Sequence, residues 1–247
     1  MPHQVHIKKK WAISDNLATP ESAYMQRREF LKGTALTTLA TIGVLYGCGS
    51  SSAPNVLPEI KWTELDKSIY PAKRNLTYEL DRPITDEKIA STYNNFYEFG
   101  AEKIDPVHYA HKLNQRPWTV QVNGLVNKPM TFDIDDLLKS MPIEERVLRL
   151  RCVEAWAMAV PWTGFALSAL LKRVEPKLEA THVRFETFYE PFTAHGQLAF
   201  WEPWPYVEGL TIKEAMNELA FLATGIYGHP IPKQHGAPIR LVVPWKY

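Results

Sequence analysis

Cys152 stands in the run Arg149-Leu150-Arg151-Cys152-Val153-Glu154-Ala155-Trp156, and it is one of two cysteines in the chain. The other, Cys48, closes an export leader. Outside the cytoplasm thiols are usually paired, so a single leftover thiol points to an intermolecular bridge or to a reactive or ligating sulfur. Neighbouring arginines favour the thiolate, the form that binds metal or attacks. The bland alternative is a small buried core residue. Glu154 offers a carboxylate that tunes or delivers protons beside that sulfur, or else a salt-bridged surface group. His235 is a conceivable base for a nucleophilic thiol. His108 and His111 have helical i, i+3 spacing but lack a third ligand in view, so a surface pair is the better reading.

The leader narrows the chemistry. Gln26-Arg27-Arg28-Glu29-Phe30-Leu31-Lys32-Gly33 is a twin-arginine motif, and an uncharged apolar run, Thr34 to Gly47, follows it. That run is shorter than the ~20 residues that cross a bilayer. A basic segment, a short apolar core and small residues make a secretory signal of the twin-arginine type. That route carries folded cargo, commonly because a cofactor is inserted before export. The expected location is the periplasm. Leu45-Tyr46-Gly47-Cys48 resembles a lipoprotein box with a bulky Tyr, so lipidation at Cys48 stands as an alternative to ordinary cleavage near Ala53.

Composition excludes other classes. The formal charge is +1, and removal of the leader leaves a slightly acidic chain. There is no basic excess to hold nucleic acid. A hydrophobic content of 45% excludes a disordered polymer. Eight Trp and nineteen Pro favour a loop-rich fold over a helical bundle.

The positioning elements follow from periodicity. Residues 1–48 read as signal peptide, 49–90 as an N-terminal extension wrapping the surface, and 91–247 as the functional domain. Thr119 to Val122 reads as a strand, with Asn123-Gly124 as a hairpin turn into a short run from Leu125 to Asn127. Asp133 to Lys139 starts a helix. Glu145 to Val153 alternates as a strand, with Leu148, Leu150 and Cys152 on one face. Phe165 to Val174 and Ile212 to Ala223 are amphipathic helices. Val183 to Tyr189 is a strand that leaves Thr187 near its end. Pro191 to Tyr206 is an aromatic loop, read either as packing or as the rim of a mouth. Ile239 to Val243 is a last strand, after which the sequence stops abruptly, as a C-terminally incomplete domain would. The class is α+β, a mixed, mainly β sheet with flanking helices.

Four segments occur in a telling order: Tyr93-Asn94-Asn95-Phe96-Tyr97-Glu98-Phe99, Arg151-Cys152-Val153-Glu154-Ala155-Trp156, Tyr206-Val207-Glu208-Gly209-Leu210 and Gly236-Ala237-Pro238-Ile239-Arg240-Leu241. With the leader, they resemble the periplasmic protein-methionine-sulfoxide reductase catalytic subunits, molybdenum enzymes with the sulfite oxidase fold. The resemblance implies one molybdenum–molybdopterin per chain, with Cys152 as the metal ligand. It carries pterin contacts over to Asn94, Tyr97, Glu98, Thr187, His235 and Arg240, with Cys152 and Glu154 as catalytic residues. His235 departs from the reductases, which often have Asn there, towards the sulfite oxidases. The implied substrates are oxidised periplasmic proteins, and the implied electron donor is a haem-containing membrane subunit. Rival readings are a sulfite dehydrogenase of the same fold, a hydrolase built on Cys152 and His235, and a non-enzymatic lipoprotein.

Overall fold

A ten-residue strand, β4 (Ala157–Ala166), organises the molecule. Every residue from Met158 to Phe165 is buried, so the strand is covered on both faces. One face joins a cluster of Phe165, Leu170, Leu171, Val174 and Leu222. The other joins Met158, Val160, Trp162, Phe221 and Ala223. A strand buried on both faces reads as a continuous apolar run instead of an alternating one.

The computed structural model describes residues 57–246 except Val153; the leader and Cys48 lie outside the described residues. Strands β1 (Thr119–Val122) and β2 (Met130–Asp133) form a hairpin. Strand β3 (Glu144–Arg151) pairs with β4, Leu148 opposite Val160 and Arg151 opposite Ala157. Strands β5 (His182–Glu186) and β6 (Val207–Thr211) form a second two-stranded sheet. Strand β7 (Phe221–Ile226) lies beside β4, and β8 (His229–Pro230) and β9 (Arg240–Val242) both pair with β7. These pairings are antiparallel, and a parallel bridge between Arg74 and Glu145 makes the pattern mixed.

Helices flank the sheets: α1 (Glu64–Ile69), α2 (Glu87–Thr92), α3 (Asp105–Tyr109), α4 (Ile134–Ser140), α5 (Leu167–Val174) and α6 (Ile212–Ala215). Asp133 caps α4, its side chain accepting from the Asp135 amide, which is the local reason for a helix there. Thr211 and Glu214 form a capping box on α6.

Four expectations need correction. The helix expected over 165–174 begins only at Leu167, because β4 runs on to Ala166. The helix expected over 212–223 stops at Ala215. Asn217 then takes the Leu219 amide on its side chain and starts a turn, and the apolar run from Phe221 is the buried strand β7. The Asn123-Gly124 turn does not lead straight into a partner strand. Val126 instead bridges to Pro176, and the hairpin closes at Met130. The extension is also more than a surface wrap, for Asp66 and Tyr70 are buried. Arg116 holds the Asp66 carboxylate at 2.8 Å, and the Tyr70 hydroxyl donates to the Thr224 carbonyl at 2.8 Å.

Candidate active site

The site is built where β3 ends. The chain leaves β3 at Arg151 and re-enters the sheet as β4 at Ala157, with Cys152 and Ala155 in the connection. The Cys152 amide donates to the Trp156 carbonyl at 2.9 Å, and the Ala155 amide to the Cys152 carbonyl at 3.1 Å. Ala155 has a φ of 69°, a strained left-handed conformation. This loop presents the partly exposed Cys152 sulfur, which accepts from Asn95 Nδ2 at 3.2 Å. Arg149 and Arg151 are both exposed, so an amide, and not a guanidinium, is the sulfur's hydrogen-bond neighbour.

Asn95 follows α2. Beside it the buried Asn94 donates from Nδ2 to the Ser91 carbonyl at 2.9 Å, and its amide donates to the Lys103 carbonyl at 3.0 Å. The Ser91 hydroxyl lies 3.1 Å from His235 Nε2. The His235 carbonyl accepts from Arg240 Nη1 at 3.1 Å. The guanidinium carbon stands 4.9 Å from the centre of the Trp162 ring. Consecutive contacts therefore link the sulfur region to a cation drawn from the far end of the chain. Burial, with Arg240 and His229 nearby, pushes His235 down to about 3, so its imidazole is neutral. Burial also lowers Arg240 to about 10, which leaves it charged at neutral pH.

A second branch starts at Glu154. Its carboxylate accepts from the Tyr97 hydroxyl at 2.6 Å, pairs with Lys103 at 2.6 Å and lies 3.4 Å from the Trp156 indole nitrogen. Lys103 first, then Tyr97, holds this carboxyl below its usual range. An ionised, ion-paired carboxylate is a poor proton donor, so its environment suits positioning of the loop better than proton delivery. Glu98 is buried, which raises its carboxyl, and it takes a hydrogen bond from the Thr187 side chain. Thr187 lies just past β5, and its amide donates to the Tyr206 carbonyl at 3.0 Å. Phe99, Leu113 and Ala194 pack behind this turn with Phe96, Trp118 and Phe188.

Ser91 thus links Asn94, His235 and Arg240 in one network and Glu154 links Tyr97 to Lys103 in a second, while Glu98 and Thr187 form a separate pair and the Cys152 sulfur meets Asn95. Sequence reasoning missed Asn95, Ser91, Lys103 and Trp162. Asn95 lay inside a quoted segment and had a signal; Lys103 and Trp162 had none, because only the fold brings them near. The pairing of Cys152 with His235 as nucleophile and base is contradicted. His235 Nε2 faces Ser91, and the sulfur faces Asn95. His108 and His111 form no ligand pair, since His111 Nδ1 lies 2.8 Å from the His108 carbonyl oxygen.

The aromatic loop splits the two readings given to it. Phe192, Phe200 and Trp201 are 97%, 91% and 71% exposed, too open for core packing. Trp204 is half-buried. The loop is closed at its base by the Thr187–Tyr206 contact.

The donor set fits a bulky anionic cofactor bearing soft and hard atoms. The sulfur is accessible. No carboxylate pairs with Arg240 among the described residues, and the Trp162 indole N–H is buried without a partner there. Buried donors left unpaired call for an acceptor, and an uncompensated guanidinium suits a phosphate. Among the described residues no three His, Cys, Asp or Glu side chains cluster as a metal cage.

Comparison with known proteins decides the family. The model for the oxidoreductase molybdopterin binding domain matches residues 107–247. The chain belongs to the molybdopterin-binding oxidoreductases. It is 44% identical over 245 residues to the protein-methionine-sulfoxide reductase catalytic subunit MsrP of Pseudomonas syringae pv. tomato, covering 93% of this chain and 69% of that relative. The crystal structure of the sulfane dehydrogenase SoxCD from Paracoccus pantotrophus aligns at 18% identity and a TM-score of 0.45, over 82% of this chain and 52% of that one. The chain spans about half the length of that solved structure. The family match and the chain's own sheets and flanking helices give the α+β molybdopterin-binding fold that the sequence resemblance implied. No helix among its described residues is long and apolar enough to cross a membrane.

Proposed function

We propose that this oxidoreductase reduces methionine sulfoxide in oxidised proteins back to methionine, using one molybdenum–molybdopterin held by Cys152. The observation that carries the reading is the contact path from the Cys152 sulfur region through Asn94, Ser91 and His235 to Arg240, on a chain 44% identical to a named reductase. Cys152 is the metal ligand, and a soft thiolate suits a metal that keeps open positions. Arg240 and neutral His235 hold the anionic end of the pterin, while Asn94, Tyr97, Glu98 and Thr187 line the rest of its seat. When bound, the molybdenum group supplies oxygen-atom transfer and holds the electrons for it.

The balance is simple. The sulfoxide S–O bond breaks, thioether leaves, and the oxygen departs as water after two electrons and two protons arrive. Loss of the oxygen restores an apolar side chain where oxidation had made a polar one. The chain's own residues orient and exclude. Glu154, fixed by Lys103 and Tyr97, shapes the loop that carries the sulfur. The exposed aromatics of residues 192–206 give a polypeptide substrate an apolar surface beside the seat. The twin-arginine motif at residues 26–33 supports export in folded form to the periplasm, with lipidation at Cys48 as the alternative to ordinary cleavage. A haem-bearing membrane subunit is the proposed electron donor, in keeping with the "catalytic subunit" of the relative's name.

The test uses the full-length gene product from a host that makes molybdopterin. One molybdenum per chain and turnover of an oxidised methionine protein are expected. Cys152→Ser should lose both while its circular dichroism stays unchanged. Strong sulfite oxidation without sulfoxide reduction would overturn the substrate in favour of a sulfite dehydrogenase. A fully active Cys152→Ser would overturn the ligand.

A further inference from the structure

We infer that Asn95 is a positioning residue whose side-chain amide donates to the Cys152 sulfur and sets how strongly that sulfur gives electron density to a bound metal. The inference deepens the molybdenum reading and rests on it. The observation is the 3.2 Å contact from Asn95 Nδ2 to Cys152 Sγ. A thiolate only accepts, so the amide nitrogen, and not its oxygen, must face it.

Both partners are held by their own loops. Asn94, next to Asn95, is tied to Ser91 and Lys103 through its side chain and its amide. Phe96, on the other side, stacks edge-on against Phe99 at 4.9 Å. Cys152 is fixed by the bond from its amide to Trp156. The contact therefore joins two preset positions 57 residues apart. Nothing else in the two networks gives the sulfur a hydrogen bond, and an amide keeps its donor at every pH that the protein survives. Hydrogen bonds to ligating sulfurs withdraw electron density and favour the reduced metal.

The experiment compares wild type with Asn95→Leu, which removes the donor, and Asn95→Asp, which keeps the shape and replaces the donor with a charge. Asn95 is exposed, so neither change threatens the fold. In the molybdenum-loaded proteins, metal content should stay near wild type. The midpoint potential, read by redox titration with electron paramagnetic resonance, should fall in both variants and further in Asp. In metal-free protein, at a high pH where the Cys152 thiol is ionised, alkylation by iodoacetamide should quicken several-fold in Asn95→Leu, because the sulfur keeps the electron density that the amide withdraws. Unchanged potentials in metal-loaded variants, or unchanged alkylation in metal-free protein, would overturn the inference. A wild type without molybdenum would sink the proposed function instead, and the alkylation rates would still decide the Asn95–Cys152 contact.

Discussion

Arg240 lies against Trp162, its guanidinium carbon 4.9 Å from the ring centre, and donates to the His235 carbonyl at 3.1 Å. The aromatic face and the carbonyl together hold a cation that no described carboxylate neutralises. The planar fork is needed for this, because it stacks and donates at once. Arg240→Lys keeps the charge and loses both contacts. The expected result is at least a tenfold loss of bound molybdenum, measured by elemental analysis. Thermal unfolding of the metal-free protein should move little. Wild-type metal content in that variant would remove Arg240 from the pterin seat.

His235 gives a pH dependence with a definite sign. Its imidazole is held down to about 3 by burial, Arg240 and His229, against about 6.5 in an unfolded chain. Below 6.5 the unfolded state takes up a proton that the folded state refuses. Stability from this group is therefore complete above pH 6.5 and declines as pH falls towards 3. The slope is at most about 1.4 kcal/mol per pH unit. Urea titrations at pH 7 and pH 5 should show the loss in wild type, and His235→Asn should flatten it. An equal pH response in both proteins would refute the assignment.

Gly196 is where two loops touch. A methyl group there would meet the Tyr97 carbonyl oxygen and would stand 2.8 Å from the Glu98 carbonyl. Backbone cannot yield as a side-chain tip can, so Gly196→Ala should cost about 1–3 kcal/mol. It should also displace the turn that carries Tyr97 and Glu98. Cofactor content should fall together with the melting temperature, and the metal-free and loaded proteins should converge in stability.

Lys103 controls the ionisation of Glu154 through the 2.6 Å ion pair. Lys103→Met should let the Glu154 carboxyl titrate at a higher pH than in wild type. Trp156, whose indole nitrogen is 3.4 Å from that carboxylate, reports the change as a pH-dependent fluorescence step. The step should be absent from the Lys103→Met/Glu154→Gln double variant. Its presence there would assign the signal to another group.

The fold and site were legible to different depths. Strand Thr119–Val122 and the capped helix after Asp133 could be read because their signals are local. Phe221–Ile226 could not. A strand buried on both faces has no alternation, and its apolar run joined that of Ile212–Ala215 into a false helix. Cys152, Arg240 and their companions were named by type and by resemblance to a family. Their connections were hidden, since Ser91 and His235 are 144 residues apart and no spacing rule joins them. Lys103 carries no signal in the sequence, and only the fold sets it against Tyr97 and Glu154.

The N-terminal segment has a consequence for synthesis. Tyr70 leaves the ribosome 154 residues ahead of Thr224, the residue its hydroxyl must find. Ser91 likewise waits for His235. The early part of the chain must remain available for these contacts until Thr224 and His235 have emerged. Any machinery that admits finished molecules alone would find, in that late closure, a natural moment of release.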